Sequence, residues 1–370
     1  MKATADPARK EAKMKRYGLE QFADMHVHMS DIDLDRCEKY LTLLADCGLT
    51  DITLQSLTYR ALCYNLSVLY WKKNFKRARL SAYGMIHDHP GDIYRDIPYE
   101  TQVRALLDMG CDGIKMMFAP DSRRRLGHGI NDPRYDAMFA YLESCGVPLC
   151  IHVNDPEHMW VKRELTEYEK SRNWGYFHEG YLSKAEIYRE TFERLDRNPG
   201  LRIVFAHFYF LSADMKEAAR VLDTYPNVSF DLTPGVEMYP NFSERIEAWR
   251  EFFIRYADRI VFGTDCNDTK SFNAEIIEMV HTALTHDHTE FVTPCYGNRV
   301  IRGLDLPQEV VERICWKNYK RILPSIRPVN TELLLAAAAR LYDDLAGRDS
   351  DFCRESAAWA KACFEAKAER

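Results

Sequence analysis

Eight times along this chain a short apolar or β-branched run gives way to a longer segment whose apolar residues recur at helical spacing. Runs of the first kind suit strands of a buried parallel sheet, and segments of the second kind suit the helices that return the chain between them, so the alternation is that of βα units. The strands fall at Phe22 to Val27, Asp51 to Gln55, Leu80 to Ile86, Gly113 to Phe118, Pro148 to Val153, Arg202 to Ala206, Val228 to Leu232 and Ile260 to Gly263. Helical stripes lie between them, for example Leu41, Leu44 and Cys47, then Tyr188, Phe192 and Leu195, then Ala218, Val221 and Leu222. Periodicity does not itself decide closure, but eight repeats favour an α/β fold of the closed (β/α)8 TIM-barrel type over an open doubly wound sheet. Neither a GxGxxG nor a GxxxxGK(S/T) loop is present to argue for an open, nucleotide-binding sheet.

The 370 residues accommodate one such barrel with insertions, placed at 21–325. Residues 1–20, rich in Lys, Ala and Arg without an apolar face, are expected to form an N-terminal arm, mobile or bound to a partner. Residues 326–370 are expected to form a C-terminal helical extension, with helices at Asn330 to Ala346 and Asp351 to Lys367. The second helix carries Phe352, Trp359, Cys363 and Phe364 at near-heptad spacing, a stripe that must pack either on the barrel's outer ring or on a second subunit; a homo-oligomer is therefore open. Three connections exceed a tight turn: Asp88 to Tyr99, Ala119 to Pro133 and Asn154 to Ser183. Each follows the C-terminal end of a strand, where barrel enzymes place loops that contact substrate, so these three form the expected pocket rim.

Charge narrows the partners. A formal net charge of -6 gives no general attraction to nucleic-acid phosphates or anionic lipid, so neither is expected. Two basic clusters, Lys72-Lys73 with Lys76-Arg77-Arg79 and the run Arg123-Arg124-Arg125, read as solvated surface or as contacts for acidic substrate groups. There is no apolar run of the roughly 18 residues that a membrane span requires. The opening MKATADPARKEAKMKRYG lacks the apolar middle of a signal peptide, and a cytoplasmic location is expected. The 11 cysteines include no CxxC pair and read as reduced core residues, as around Cys145 and Cys150. Cys266 stands apart because it directly follows Asp265, although core filling is the preferred reading there too.

Chemistry concentrates at strand ends. Asp24-Met25-His26-Val27-His28 closes the first strand, and the period of 2 puts both imidazoles on one face, fit to share one ion. His152 ends the fifth strand, His207 caps the sixth, and Asp265 follows the eighth in Gly263-Thr264-Asp265. C-terminal strand ends of a barrel share one mouth, and burying such groups there unused would cost roughly a few kcal/mol each. Four strand ends that agree are hard to explain as core packing.

Histidines in HxH on strand one, at strands five and six, and Gly-Thr-Asp on strand eight resemble the amidohydrolase superfamily, most closely its amidohydrolase-related (amidohydrolase 2) branch of metal-dependent hydrolases and decarboxylases. The resemblance spans roughly residues 20–325 and includes the closing segment Ile314 to Leu323 with Asn318. It implies that His26, His28, His152 and Asp265 hold one divalent ion, zinc by preference, and that His207 is the acid/base or carbonyl-polarising residue. A metal lowers the pKa of its water while a nearby carboxylate or imidazole takes the proton, so Asp265 could be both ligand and proton acceptor and His207 could hydrogen-bond a developing oxyanion. Elsewhere in the superfamily a carboxylated lysine ending strand four bridges two metals. Lys115 stands at about that position, and the alternatives are a second metal, an ammonium paired with a substrate carboxylate or phosphate, or a structural lysine.

Other polar groups are weaker candidates. His87, in His87-Asp88-His89, could contact substrate or serve the rim, and Tyr59 and Arg60 would suit a substrate carboxylate. His178 and Glu179 read as a solvated loop or a closing one, and His286-Asp287-His288 as a surface turn. The expectation is a metal-dependent hydrolase acting on a small, polar, carboxylate-bearing molecule. The rival readings are a non-oxidative decarboxylase of an aromatic or unsaturated acid using the same centre, and a catalytically silent barrel that binds a partner protein. Cys266 and Asn267 stand where many relatives have a Pro soon after this aspartate, so no single relative's substrate carries over.

Overall fold

The protein is described from a computed structural model that covers residues 17–29, 31–172, 174–270, 273–293, 299–348 and 351–368. Residues 1–16 of the expected arm, and the side chain of Phe352, lie outside the described ones. Nine parallel strands form one curled sheet in the order β8-β7-β6-β5-β4-β3-β2-β1-β9. They are β1 (Ala23–His28), β2 (Asp51–Gln55), β3 (Arg79–Met85), β4 (Gly113–Phe118), β5 (Leu149–Val153), β6 (Ile203–Phe205), β7 (Val228–Asp231), β8 (Ile260–Val261) and β9 (Cys266–Asn267). The eight expected strands are present, shifted by one or two residues at most ends. The ninth is a continuation of the eighth beyond a break at Phe262 to Asp265.

That break is where the barrel closes. Met25 N–H donates to the Phe262 carbonyl at 3.0 Å and Asp265 N–H to the His26 carbonyl at 2.9 Å, while Val27 and His28 pair with Cys266 and Asn267. The eighth strand is thereby joined to the first, so no edge is left between them. Strands two to eight are buried almost throughout because helices cover them outside and side chains fill them inside.

The helices follow their apolar stripes. Leu34–Asp46 is capped by the Asp33 carboxylate and buries Cys37, Tyr40, Leu41 and Leu44, with Cys47 only half-buried at its end. Lys184–Arg197 starts at a Ser183/Glu186 capping box and buries Ile187, Thr191 and Leu195; Tyr188 and Phe192, expected inward, are only partly buried beside that stripe. The barrel's lower interior is filled by Ala23, Met25, Tyr83, Cys150, Val204 and Val261, closed beneath by Tyr319, Ile322 and Leu323. Asn318 holds that floor, its amide donating at 2.7 Å to the carbonyls of both Ala257 and Ile260.

The C-terminal stripe packs on the barrel's own outer layer. Trp359 and Cys363 are buried, Phe364 is partly so, and the Trp359 ring meets Tyr70 of the helix Tyr64–Asn74 edge-on at 6.2 Å. All described cysteines are free, and most are buried, including Cys266. Cys145, expected in the core, is exposed because it ends its helix on the outer surface. No helix among the described residues is long and apolar enough to cross a membrane.

Candidate metal centre and active site

A bulge in β1 builds the site. Between Asp24 and Val27 the pairing with β2 slips by one residue, so Met25 can fill the barrel floor while its neighbour His26 also faces inward, against Cys150 and Lys115. A regular strand would send these two side chains to opposite faces. Both carboxylate oxygens of buried Asp24 secure the turn: one accepts from His26 N–H at 2.9 Å, the other from Thr264 Oγ1 at 2.6 Å. Burial raises the Asp24 carboxyl to about 7.

Hydrogen bonds then fix which nitrogen of each imidazole is free. His26 Nδ1 lies 2.7 Å from Asp231 Oδ2, and His28 Nδ1 lies 3.1 Å from the Gln55 carbonyl. An acceptor at Nδ1 places the ring proton there and leaves the lone pair on Nε2. These two Nε2 atoms stand 3.0 Å apart, and Asp265 Oδ1 is 3.2 Å from His28 Nε2 and 3.9 Å from His26 Nε2. With both ring protons held on Nδ1, three acceptors converge on one point, an arrangement that a cation satisfies. His26, His28 and Asp265 accordingly form a group with spacing fit for a metal ion.

Around them burial lowers the pKa of His26 and His28, the first well below the imidazole range. For Asp265 burial acts upward, but the Lys270 ammonium foremost outweighs it, and the carboxyl is held well below its usual range. Lys270 Nζ lies 2.6 Å from the Asp265 carbonyl and 3.2 Å from Oδ2. Lys115, fully buried, reaches His26 Nε2 at 3.1 Å, directly beside the same point.

His152 and His207 stand at a second distance. His152 Nε2 faces the Asn154 carbonyl at 3.0 Å and Asp155 at 3.5 Å, so it is not within the close group, and its ring meets His207 at 4.7 Å between centroids. Donation from Nε2 leaves its lone pair on Nδ1. His207 opens a turn in which four successive residues to Phe210 have φ between 52° and 56°, a left-handed path that L-residues rarely take. Its N–H donates to Asp231 Oδ1 at 2.8 Å and to Thr233 Oγ1 at 3.1 Å. Its Nδ1 is buried without a partner among the described residues, and burial keeps the ring neutral by lowering its pKa well below the usual value. Asp265 and Asn154, after β8 and β5, also have positive φ, of 53° and 71°.

All five residues line one cleft of about 1080 Å³ at the C-terminal ends of the strands. Its rim comes from the three long connections, through His89, Asp121, Arg124, Arg125, Trp174 and Tyr181 among others. Tyr59, Arg60 and Lys115 line it as well. His87 does not: its Nδ1 is turned to Asp92 at 2.7 Å, and His89, stacked on Tyr59 at 5.7 Å, takes the lining position. His178, Glu179 and His286 are exposed and apart from the cleft, while His288 is tied to the Gly303 carbonyl.

Asp231 is the residue that sequence reading overlooked, although a carboxylate at the end of an otherwise apolar run was a usable signal. Lys270, in a loop without periodic pattern, offered none. Arg124 and Arg125 were visible only as part of a basic run, which the fold splits: Arg123 turns to Glu190 at 2.7 Å and the other two face the cleft.

Residues 79–324 match the model of the amidohydrolase family, more than half of the chain. No curated protein matches the sequence. Among solved structures, a TIM-barrel protein of Bordetella bronchiseptica described as uncharacterized aligns at 15% identity and TM-score 0.51, covering 82% of this chain and 98% of that one. An amidohydrolase II aligns at 14% identity and TM-score 0.52, covering 82% of this chain and 100% of that one. A 2,6-dihydroxybenzoate decarboxylase from Rhizobium gives 14% identity, 82% and 98% coverage, and a TM-score of 0.49.

Proposed function

We propose, from the premise that this chain belongs to the amidohydrolase family and is thus an enzyme of a metal-dependent class, that it hydrolyses a small carboxylate-bearing substrate at a single zinc centre. The ion would be held by His26, His28 and Asp265, with His152 completing the set through Nδ1. The observation that carries this reading is the meeting of two imidazole nitrogens and a carboxylate oxygen at 3.0 and 3.2 Å, a donor set that a divalent cation would draw together. When bound, the ion supplies Lewis acidity, which polarises the scissile carbonyl and makes water a competent nucleophile near neutral pH.

The chain's own groups do the rest. Asp265, ionised under the influence of Lys270, accepts the proton of the attacking water and later passes it to the leaving group. His207, neutral and with an unpartnered nitrogen, donates a hydrogen bond to the oxyanion as it develops. Lys115 has two further roles open: as an ammonium beside the substrate carboxylate, or, carboxylated, as the bridge to a second ion. Substrate charge is favoured by the cleft itself, which holds six Lys and Arg side chains against three carboxylates in a chain of net charge -6. The same surplus suits decarboxylation, in which carbon dioxide leaves and a proton from solvent is delivered to carbon, and this is the second reading.

Metal quantification on wild type and Asp265→Ala tests the centre. About one equivalent of ion in the wild type and a marked loss in the variant are expected; less than roughly 0.2 per chain after metal-supplemented expression would sink the proposal and favour a silent, partner-binding barrel. A screen of lactones, amides and aromatic acids then separates hydrolysis, seen as a new acid or amine, from release of carbon dioxide.

A further inference from the structure

The cationic groups of the cleft fall into two sets. Lys115 and Lys270 lie against the proposed ion site, whereas Arg60, Arg124, Arg125 and Arg172 belong to the rim. At the rim the compensation is incomplete. Asp121 is gripped by Arg124 through Oδ1 at 3.3 Å and by Arg125 through Oδ2 at 2.7 Å, so one carboxylate serves two guanidiniums. Among the described residues no ion pair is formed by Arg60 or by Arg172, which lie 5.8 Å from the Tyr59 ring centre and 5.9 Å from that of Tyr168. Arg124 also rests over Tyr181 at 4.8 Å, and Arg125 acts electrostatically on both His89 and Tyr59 inside the cleft. Arg124 and Arg125, with side chains 47% and 58% exposed, are open to a ligand, and their grip on the two oxygens of Asp121 shows that together they reach both oxygens of one carboxylate.

We infer that the substrate carries a second carboxylate, distant from the reacting group and read at the mouth by Arg124 and Arg125. This rests on the metal-centred reading above, and it makes the helix Pro120–Leu126 a specificity element. A substrate with one carboxylate leaves the rim guanidiniums to water; a substrate with two bridges from the ion to the mouth.

The test uses a matched pair of flat six-carbon probes, trans,trans-muconate with two carboxylates and sorbate with one, titrated into metal-loaded full-length protein by calorimetry. Wild type is expected to bind muconate about tenfold or more tightly than sorbate, the gain typical of a charge-assisted, two-pronged contact. In the double variant Arg124→Gln/Arg125→Gln the preference collapses to about twofold with sorbate affinity unchanged, while Asp121→Asn, which frees both guanidiniums, strengthens muconate alone. Arg220→Gln removes the same charge from a remote surface helix and leaves the preference intact. Equal binding of the two probes by wild type, no binding of either to metal-loaded protein, a preference retained in the double variant, or an equal loss in Arg220→Gln would each overturn the inference. Displacement of muconate by inorganic phosphate at lower concentration than by sorbate would overturn the carboxylate assignment in favour of a phosphate. Metal content of the same samples keeps the two readings apart, because its absence sinks the centre itself, whereas its presence with equal binding sinks only the second carboxylate.

Discussion

At the scale of single residues, Asp231 has the widest reach. One oxygen takes the proton of His26 Nδ1 and the other takes His207 N–H, so a single buried carboxylate orients a proposed ligand on β1 and the backbone of a proposed oxyanion donor after β6. Burial raises the pKa of this carboxyl, and the donors around it, His207 N–H and Thr233 among them, act in the opposite direction. Asp231→Asn preserves shape but presents an amide to an N–H that needs an acceptor, and it would favour the wrong His26 tautomer. Metal affinity is expected to fall about 10- to 100-fold, measured by chelator competition, with the fold intact by circular dichroism. Unchanged affinity would mean that Asp231 is only a packing group. Gly263 belongs to the same neighbourhood: a Cβ there would stand 3.3 Å from that of His26 and 3.4 Å from that of Asp231, so a side chain at this break would push its neighbours back by a few tenths of an ångström.

At the scale of elements, irregular backbone does the positioning. The β1 bulge, the left-handed turn from His207 and the break in the eighth strand all lie at the mouth, where strain is held by the hydrogen bonds that also orient the site. The helix Asn273–Thr285 makes a different contribution, by packing His281 against Tyr17 at 4.5 Å. Burial lowers that imidazole to about 4 from the ordinary 6.5, and its Nε2 has no partner among the described residues. The unfolded chain therefore binds a proton near pH 6.5 that the native chain refuses until near pH 4. Stability is unaffected by this group above that window and falls as pH drops through it, by about 1.4 kcal/mol per pH unit. Denaturant titrations from pH 7 to 4 are expected to show a shallower decline in His281→Asn than in wild type; identical slopes would exclude His281 as the source.

At the scale of the whole molecule, the barrel has two supports outside its sheet. The floor around Tyr319 closes the end opposite the cleft, its hydroxyl 3.1 Å from Ser81 Oγ. The C-terminal helices Thr331–Leu345 and Asp351–Ala368 lie against the helix Tyr64–Asn74, whose lysine end also meets Thr331 through Lys73 at 2.8 Å. Trp359 is the buried centre of that contact. Trp359→Ala is expected to cost about 3 kcal/mol or more, from lost burial and the cavity left behind, read as a lowered denaturation midpoint with metal content unchanged. A cost near zero would mean that the extension merely rests on the barrel.

The sequence alone determined eight βα strand runs, their parallel order and four strand ends bearing metal-competent groups, because apolar periodicity and the position of a polar residue after an apolar run are local properties; the short ninth strand, Cys266–Asn267, came only with closure. Only the tertiary structure decided which of those groups meet. The slip of one residue in β1 turns His26 inward beside Met25, the lone pair of each imidazole is set by an acceptor on another strand, and His152 stands back because its Nε2 finds a carbonyl two residues on. The basic run at Arg123 to Arg125 likewise had no assigned face until the helix carrying it was docked, with Glu190 taking the first arginine away from the cleft and leaving the other two to line it. Contacts across 205 residues of chain, such as that of His26 with Asp231, depend on closure of the barrel, and closure is a property of no single segment.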